Sequence, residues 1–210
     1  MFGDLRTGIL LFITHLLACL TVGIIFRFWK YKNDNDFHSV TAFSQHKPFK
    51  YQNNVSFTNL GEVLSTSIMN SIRSILLIGG FIVIFSVITS IFSQIHIISA
   101  LSKILVPIFS LLKIDSKLSI GFISGVIELT NGIKTISLVH LKSISQNIII
   151  TSFLLGFGGI CVLLQVYGII SKSHISIKPY IIGKVLHGIF AALYTYFFLN
   201  INSFFNLDIL

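Results

Sequence analysis

The sequence predicts an all-α polytopic membrane protein. Of its 210 residues, 53% are hydrophobic and only 10% charged, the mean hydropathy is +0.87, and the apolar residues fall in runs close to the ~20 that a spanning helix needs. That composition excludes an ordinary water-soluble domain and leaves room for about five or six membrane segments, some of them broken or re-entrant. The net charge of +8 comes from 15 Lys and Arg against 7 Asp and Glu. The basic residues gather at the ends of apolar runs, as membrane anchoring requires, and do not cluster with aromatics as nucleic-acid binding would require. The expected partners are therefore the lipid bilayer and a small-molecule substrate, not nucleic acid. Cys19 and Cys161 both lie in apolar runs, so neither a disulfide framework nor a metal site is expected. No P-loop, metal-ligand cluster or nucleophile–base pair occurs, which argues against an enzyme and against a resident cofactor.

The first apolar run reads as an uncleaved helix from Gly8 to Phe28. Leu16-Leu17-Ala18-Cys19 has the look of a lipoprotein cleavage site, but the run continues long enough to span, and Asp4 and Arg6 precede it. Trp29 and Tyr31 among Arg27, Lys30 and Lys32 mark a membrane edge. Lys30 to Asn54 is polar and contains Pro48, so it reads as a loop, and its basic excess puts it in the cytoplasm. From Ser56 a helix is expected along the membrane surface, with Glu62, Thr66, Asn70 and Arg73 at helical spacing. It enters the bilayer near Ile75 and runs to Phe92, and Gly79-Gly80 within it suggests close helix packing. Ile97 to Leu112 is short and contains Lys103 and Pro107, the pattern of a kinked or half-spanning helix. Leu118 to Val139, Ile148 to Ile170 and Tyr180 to Leu199 follow. The first two carry Gly, Ser, Thr, Asn and Gln where a simple anchor would carry Leu and Ile, and such interrupted segments point to a transporter's binding site.

Glu128 is the only carboxylate between Asp115 and Asp208. A charge at bilayer depth costs roughly 2.5 kcal/mol or more, so it is a site candidate by default. In an unbroken helix Gly125, Glu128, Asn131, Gly132 and Thr135 share one face while Lys134 points elsewhere. A break at Asn131-Gly132 would bring Lys134 nearer the carboxylate. Glu128 supplies charge or a proton site, and Thr130 and Asn131 supply orientable donors and acceptors. The alternative is that Glu128 only registers neighbouring helices. The second constellation is Gly156-Phe157-Gly158-Gly159 with Gln165: Gly158 and Gly159 either expose backbone to a ligand or pack helices closely. Cys161 reads as a small buried apolar residue. Lys184 reads as an interfacial anchor; His187 is a candidate for a proton pathway or a hydrogen-bonded structural residue, and His15 for the structural role alone.

The stretch Ser124-Gly125-Val126-Ile127-Glu128-Leu129-Thr130-Asn131-Gly132-Ile133-Lys134, followed by Gly156 to Gln165, Lys178-Pro179-Tyr180 and Lys184-Val185-Leu186-His187-Gly188, resembles the carboxyl-terminal half of the YlbJ family of sporulation integral membrane proteins. That family falls in the nucleoside-recognition, or Gate-domain, class, which is similar in a general way to concentrative nucleoside transporters and the membrane part of ferrous iron transporters. The resemblance implies a first transmembrane helix at 1–29, a polar loop at 30–55, a Gate-type helical membrane domain at 56–200 and a short tail at 201–210. Family members are about twice as long and have two related halves, so the resemblance implies one half of an inverted-repeat transporter-like fold that pairs with a second half-chain or with its own copy. It implies passage of a small anionic or heterocyclic metabolite during endospore formation, dipicolinate being the leading candidate, in the bacterial cytoplasmic membrane or a forespore membrane. A non-transporting scaffold and a nucleoside or cation carrier are the rival expectations. By position the resemblance puts Glu128, Thr130, Asn131 and the segment from Gly158 and Gly159 to Gln165 on the pathway, and the residue pattern adds Lys134.

Overall fold

The computed structural model describes residues 5–28, 60–141, 144–170 and 176–204, and within them every regular element is a helix. The expected loop at 30–55 and the membrane edge at Trp29 and Tyr31 lie outside the described residues. The helices are α1 (Leu5–Phe28), α2 (Leu60–Gln94), α3 (Ile97–Leu111), α4 (Ser119–Ile127), α5 (Leu129–Ser137), α6 (Ser145–Phe157), α7 (Gly159–Ile170) and α8 (Lys178–Phe204), with a 3₁₀ turn at Ser116–Leu118 before α4. Four segments are long and apolar enough to cross a membrane: Leu5–Phe28, Leu60–Gln94, Ser145–Gly168 through the α6/α7 break, and Lys178–Asn200. α3, at 15 residues, is about 22 Å long and falls short of a ~30 Å hydrocarbon core. The fold is thus an all-helical polytopic membrane protein with full-length and half-length segments.

Lipid as the outer solvent explains the surface. Ile75 is 68% exposed and Leu111 83%, exposures that would be costly in water over so many large side chains. α2 has Thr89 as its one buried residue. It differs from expectation in being a single 35-residue helix, about 52 Å long, with no turn between a surface part and a spanning part. A methyl group added to its Gly79 or Gly80 would meet nothing within 4 Å, so the close packing expected there is absent among the described residues. A two-residue turn through Ile95 and His96, the latter left-handed at φ 62°, folds α3 back against α2.

Three polar fasteners position the inner helices. The first is a hydroxyl chain joining α6, α8 and α1: Ser152 and Thr195 oxygens are 2.8 Å apart, Thr195 and Thr14 oxygens 3.1 Å apart, and the Thr14 hydroxyl donates to the Leu11 carbonyl at 3.1 Å. Thr195 is the donor at the centre, its one hydroxyl proton within reach of both Ser152 Oγ and Thr14 Oγ1. The second is Asn147, 1% exposed, whose amide donates to the Ile136 and Val139 carbonyls at 2.9 and 2.8 Å and ties the end of α5 to α6. The third is Gln146, which accepts from Asp115 N at 2.9 Å and donates to the Lys113 carbonyl at 3.1 Å. Between these fasteners lies an apolar centre of Phe109, Leu118, Ile136, Ile150 and Leu154. Small residues set the closest approaches: a methyl on Gly156 of α6 would sit 2.7 Å from Gly188 Cα of α8.

Replacing Asn147 by Ala removes the donor to two helix-end carbonyls and is expected to cost about 2–3 kcal/mol. Thr195→Val, which cuts the hydroxyl chain, is expected to cost about 0.6 kcal/mol. Unfolding in mixed micelles followed by circular dichroism measures both; equal stability of Asn147→Ala and parent would contradict the assignment.

Candidate functional site at two crossed helix breaks

The first break falls at Glu128 itself, not at Asn131-Gly132. Its backbone is extended, φ −141° and ψ 119°, and one residue ends α4 and begins α5. Glu128 N donates to the Ser124 carbonyl at 2.8 Å and the Glu128 carbonyl accepts from Gly132 N at 3.2 Å. The side chain turns forward onto the new helix: its oxygens accept from Thr130 N at 2.9 Å, Asn131 N at 2.8 Å and the Thr130 hydroxyl at 2.7 Å. Helix starts usually recruit Ser, Thr, Asp or Asn for this. Here a longer carboxylate satisfies two otherwise orphaned amides and complements the positive end of the α5 dipole. Gly132 stays helical because it is pressed onto Gly125 Cα, where no larger residue fits.

The second break falls at Gly158 and Gly159, as the Gly pair suggests. Both have positive φ, 84° and 80°, a region open to Gly at little cost. Gly158 N donates to the Leu154 carbonyl at 2.7 Å, closing α6. The two breaks meet: a methyl on Gly159 would lie 3.1, 3.4 and 3.5 Å from the carbonyl oxygens of Gly125, Val126 and Ile127, the last turn of α4. Lys184 of α8 completes the crossing, its Cε and Nζ each 3.3 Å from the same position on Gly158. Its place in the sequence suggests an interfacial anchor; instead this half-buried ammonium stands beside the negative end of α6. The register explains it, because Lys184 lies one turn before Gly188, and Gly188 packs on Gly156.

A polar groove of about 370 Å³ opens beside the first break, lined by Ser86, Thr89, Ser90 and Ser93 of α2, by Ser124 and by Asn131, Lys134 and Thr135 of α5, with Ile98 and Leu138 at its edges. Asn131 Nδ2 donates to the Ser86 hydroxyl at 3.1 Å across it. Among the described residues the groove has one cation, Lys134, and no carboxylate, since Glu128 is 2% exposed and turned into α5. The α2 hydroxyl face is not among the residues that the sequence singles out, although offsets of three, four and seven residues from Ser86 put it on one helical stripe.

The remaining candidates lie apart. Thr130 serves the Glu128 carboxylate, and Gln165 Nε2 is 3.4 Å from Cys161 Sγ within α7, so neither is in the groove. His187, 8% exposed, is in the α1/α8 interface: its ring centroid is 4.4 Å from that of His15, and its Nε2 donates to the His15 carbonyl at 3.2 Å. His15 Nδ1 is buried without a hydrogen-bond partner among the described residues.

Broken helices crossing at membrane depth, with a polar groove beside them, define a class of membrane protein, and residues 75–173 match the family model Gate, described as nucleoside recognition. The chain is a bacterial integral membrane protein in which that segment is similar to the Gate family. It is YlbJ-like: over 199 residues it is 32% identical to sporulation integral membrane protein YlbJ of Bacillus subtilis (strain 168), covering 92% of this chain and 48% of that protein. The chain therefore spans about half the length of that curated relative. No solved structure matches it.

Gly159→Ala is expected to destabilise the fold by about 1–3 kcal/mol, since it forces a side chain into a positive-φ position against three carbonyls. Gly79→Ala, in open space on a regular helix, is expected to be neutral or to stabilise by about 0.5–1 kcal/mol. Glu128→Gln puts an amide donor against donors and is expected to cost about 1–3 kcal/mol. The same unfolding measurement in micelles separates the three, and a Gly159→Ala variant as stable as Gly79→Ala would refute the crossing.

Proposed function

We propose that this chain is the groove-bearing half of a carrier or facilitator that moves a small anionic metabolite across the membrane in endospore formation, with dipicolinate as the leading candidate. The observation that carries the reading is the charge of the groove: one ammonium, a row of hydroxyls and an amide, and no carboxylate among its described lining. An anion beside an ionised Glu would be repelled. Here Glu128 is spent on the amides of α5, and Lys134 faces the groove from the next turn. A volume near 370 Å³ is at the small end of ligand pockets, which run from about 300 to 1,000 Å³, and suits a single-ring ligand. That the relative is a sporulation integral membrane protein supports the sporulation setting. Nothing in the reading requires covalent catalysis. The groove is open, and a hydroxyl-lined surface at bilayer depth needs a cover; a second half-chain or a second copy would supply it, which fits a relative of twice the length.

A nucleoside is the second reading, favoured by the Gate description and by hydroxyls that could bond a ribose. Uptake of labelled dipicolinate and labelled uridine into vesicles holding this chain, with and without a candidate first-half partner, separates the two. The expected result is saturable dipicolinate uptake that falls about tenfold or more in Lys134→Gln, the loss of one charge-assisted hydrogen bond, and survives in Lys134→Arg. Equal uptake by Lys134→Gln and parent would sink the groove assignment. Uridine uptake that excludes dipicolinate would establish the second reading, and no saturable flux with any partner would leave a scaffold.

A further inference from the structure

A second cavity, of about 500 Å³, lies at the opposite ends of the short helices, away from the crossing, and is lined by Lys113, Ile114, Asp115, Lys117, His140, Leu141 and Gln146. Its walls are the α3–α4 connection and the residues after α5, where three helices reach their ends together. Both walls are pinned. Ile114 N donates to the Phe109 carbonyl at 2.8 Å, Lys113 N to the Ser110 carbonyl at 3.1 Å, and Gln146 holds the first wall to α6 through both ends of its amide. Asn147 holds the second through the Val139 carbonyl. Lys113 adopts φ 57°, an uncommon conformation for a residue with a side chain.

The charged groups left over are cationic in balance, two ammonium groups against one carboxylate. Gln146 is used in both directions, and Asp115 Oδ1 accepts from Lys117 N at 2.9 Å, capping the 3₁₀ turn. What remains to face an occupant is two ammonium groups, an imidazole and the rest of one carboxylate. Beside this cationic concavity, in the residues just before Lys113, stand Leu111 and Leu112, at 83% and 60% exposure. Charge in a fixed hollow at the ends of apolar helices, with bare leucines next to it in the chain, matches a molecule that joins a phosphate to hydrocarbon.

We propose that this cavity binds the phosphodiester headgroup of an anionic phospholipid, with Lys113 and Lys117 on the phosphate and the leucines against the acyl chains. The site is separate from the groove and does not depend on what the groove carries. A soluble phosphate would use the two ammonium groups but gain nothing from the leucines, so the two sources can be told apart.

The test is native mass spectrometry of the purified full chain from mixed micelles supplied with equal phosphatidylglycerol and phosphatidylcholine. The parent is expected to retain phosphatidylglycerol preferentially. Lys113→Gln/Lys117→Gln is expected to lower that retention about tenfold or more, as two interfacial cations would, while the charge-matched Lys103→Gln/Lys178→Gln leaves it unchanged. On the parent alone, inorganic phosphate at millimolar concentration is expected not to displace the lipid, which keeps the test valid should the double variant fail to fold. Equal retention of the two lipids by the parent, equal loss in both double variants, or full displacement by inorganic phosphate would each overturn the proposal.

Discussion

Backbone polar groups at bilayer depth have no water to bond, and this constraint organises the molecule. A helix hides them, and a break uncovers them again, each exposed group costing several kcal/mol in hydrocarbon. This chain breaks two helices and lays the breaks against each other. The positive start of α5 receives the Glu128 carboxylate. The end of α6 closes through Gly158 N and has the Lys184 ammonium beside it. The last carbonyls of α4 and the first residue of α7 are in contact, with opposite dipole ends facing. Two side chains of opposite sign thus stabilise an arrangement that neither break could hold alone.

Close approach is the second requirement, and small residues meet it. Gly132 on Gly125 joins the two halves of the first broken segment, and Gly156 on Gly188 joins α6 to α8. The second contact brings Lys184 to the break, so a packing feature determines where a charge acts. Hydrogen bonds do the remaining work that the hydrophobic effect cannot do between helices in lipid. The chain through Ser152, Thr195 and Thr14 and the amide of Asn147 fix α1, α5 and α8 on α6. Among the described residues, α2 is tied by a side-chain hydrogen bond only where Ser86 meets Asn131, which leaves it at the edge, facing the groove with its hydroxyls.

Much of this is legible in the residues. Hydropathy points to the helical class, a lone carboxylate marks one break, and consecutive glycines mark the other. The position of the first break is not legible, because a Glu rarely caps a helix and Asn131-Gly132 is the stronger local turn signal. Gly79-Gly80 carries the same packing signal as Gly156 but meets no described neighbour, since sequence does not say which helix stays at the edge. Lys184 looks like an anchor because it is near the start of an apolar run; only the Gly156–Gly188 register turns it inward. The stripe from Ser86 to Ser93 is readable by spacing, but isolated serines in a long apolar helix draw less notice than a charge.

The division of labour among the charges follows from the same constraint. Glu128 and Lys184 are engaged with helix ends, so removing either would expose a dipole as well as change the local potential. Lys134 also sits in the last turn of a helix, α5, but it is exposed and lies among hydroxyls whose own bonds are mostly local, such as Thr89 to Phe85 and Thr135 to Asn131. A charge that stabilises the fold is held by it and has little freedom to exchange partners. A charge that must bind and release a solute needs that freedom. By this reasoning the residue that first draws attention, Glu128, holds the fold at the break, and the cation further along α5 is the charge left exposed in the groove.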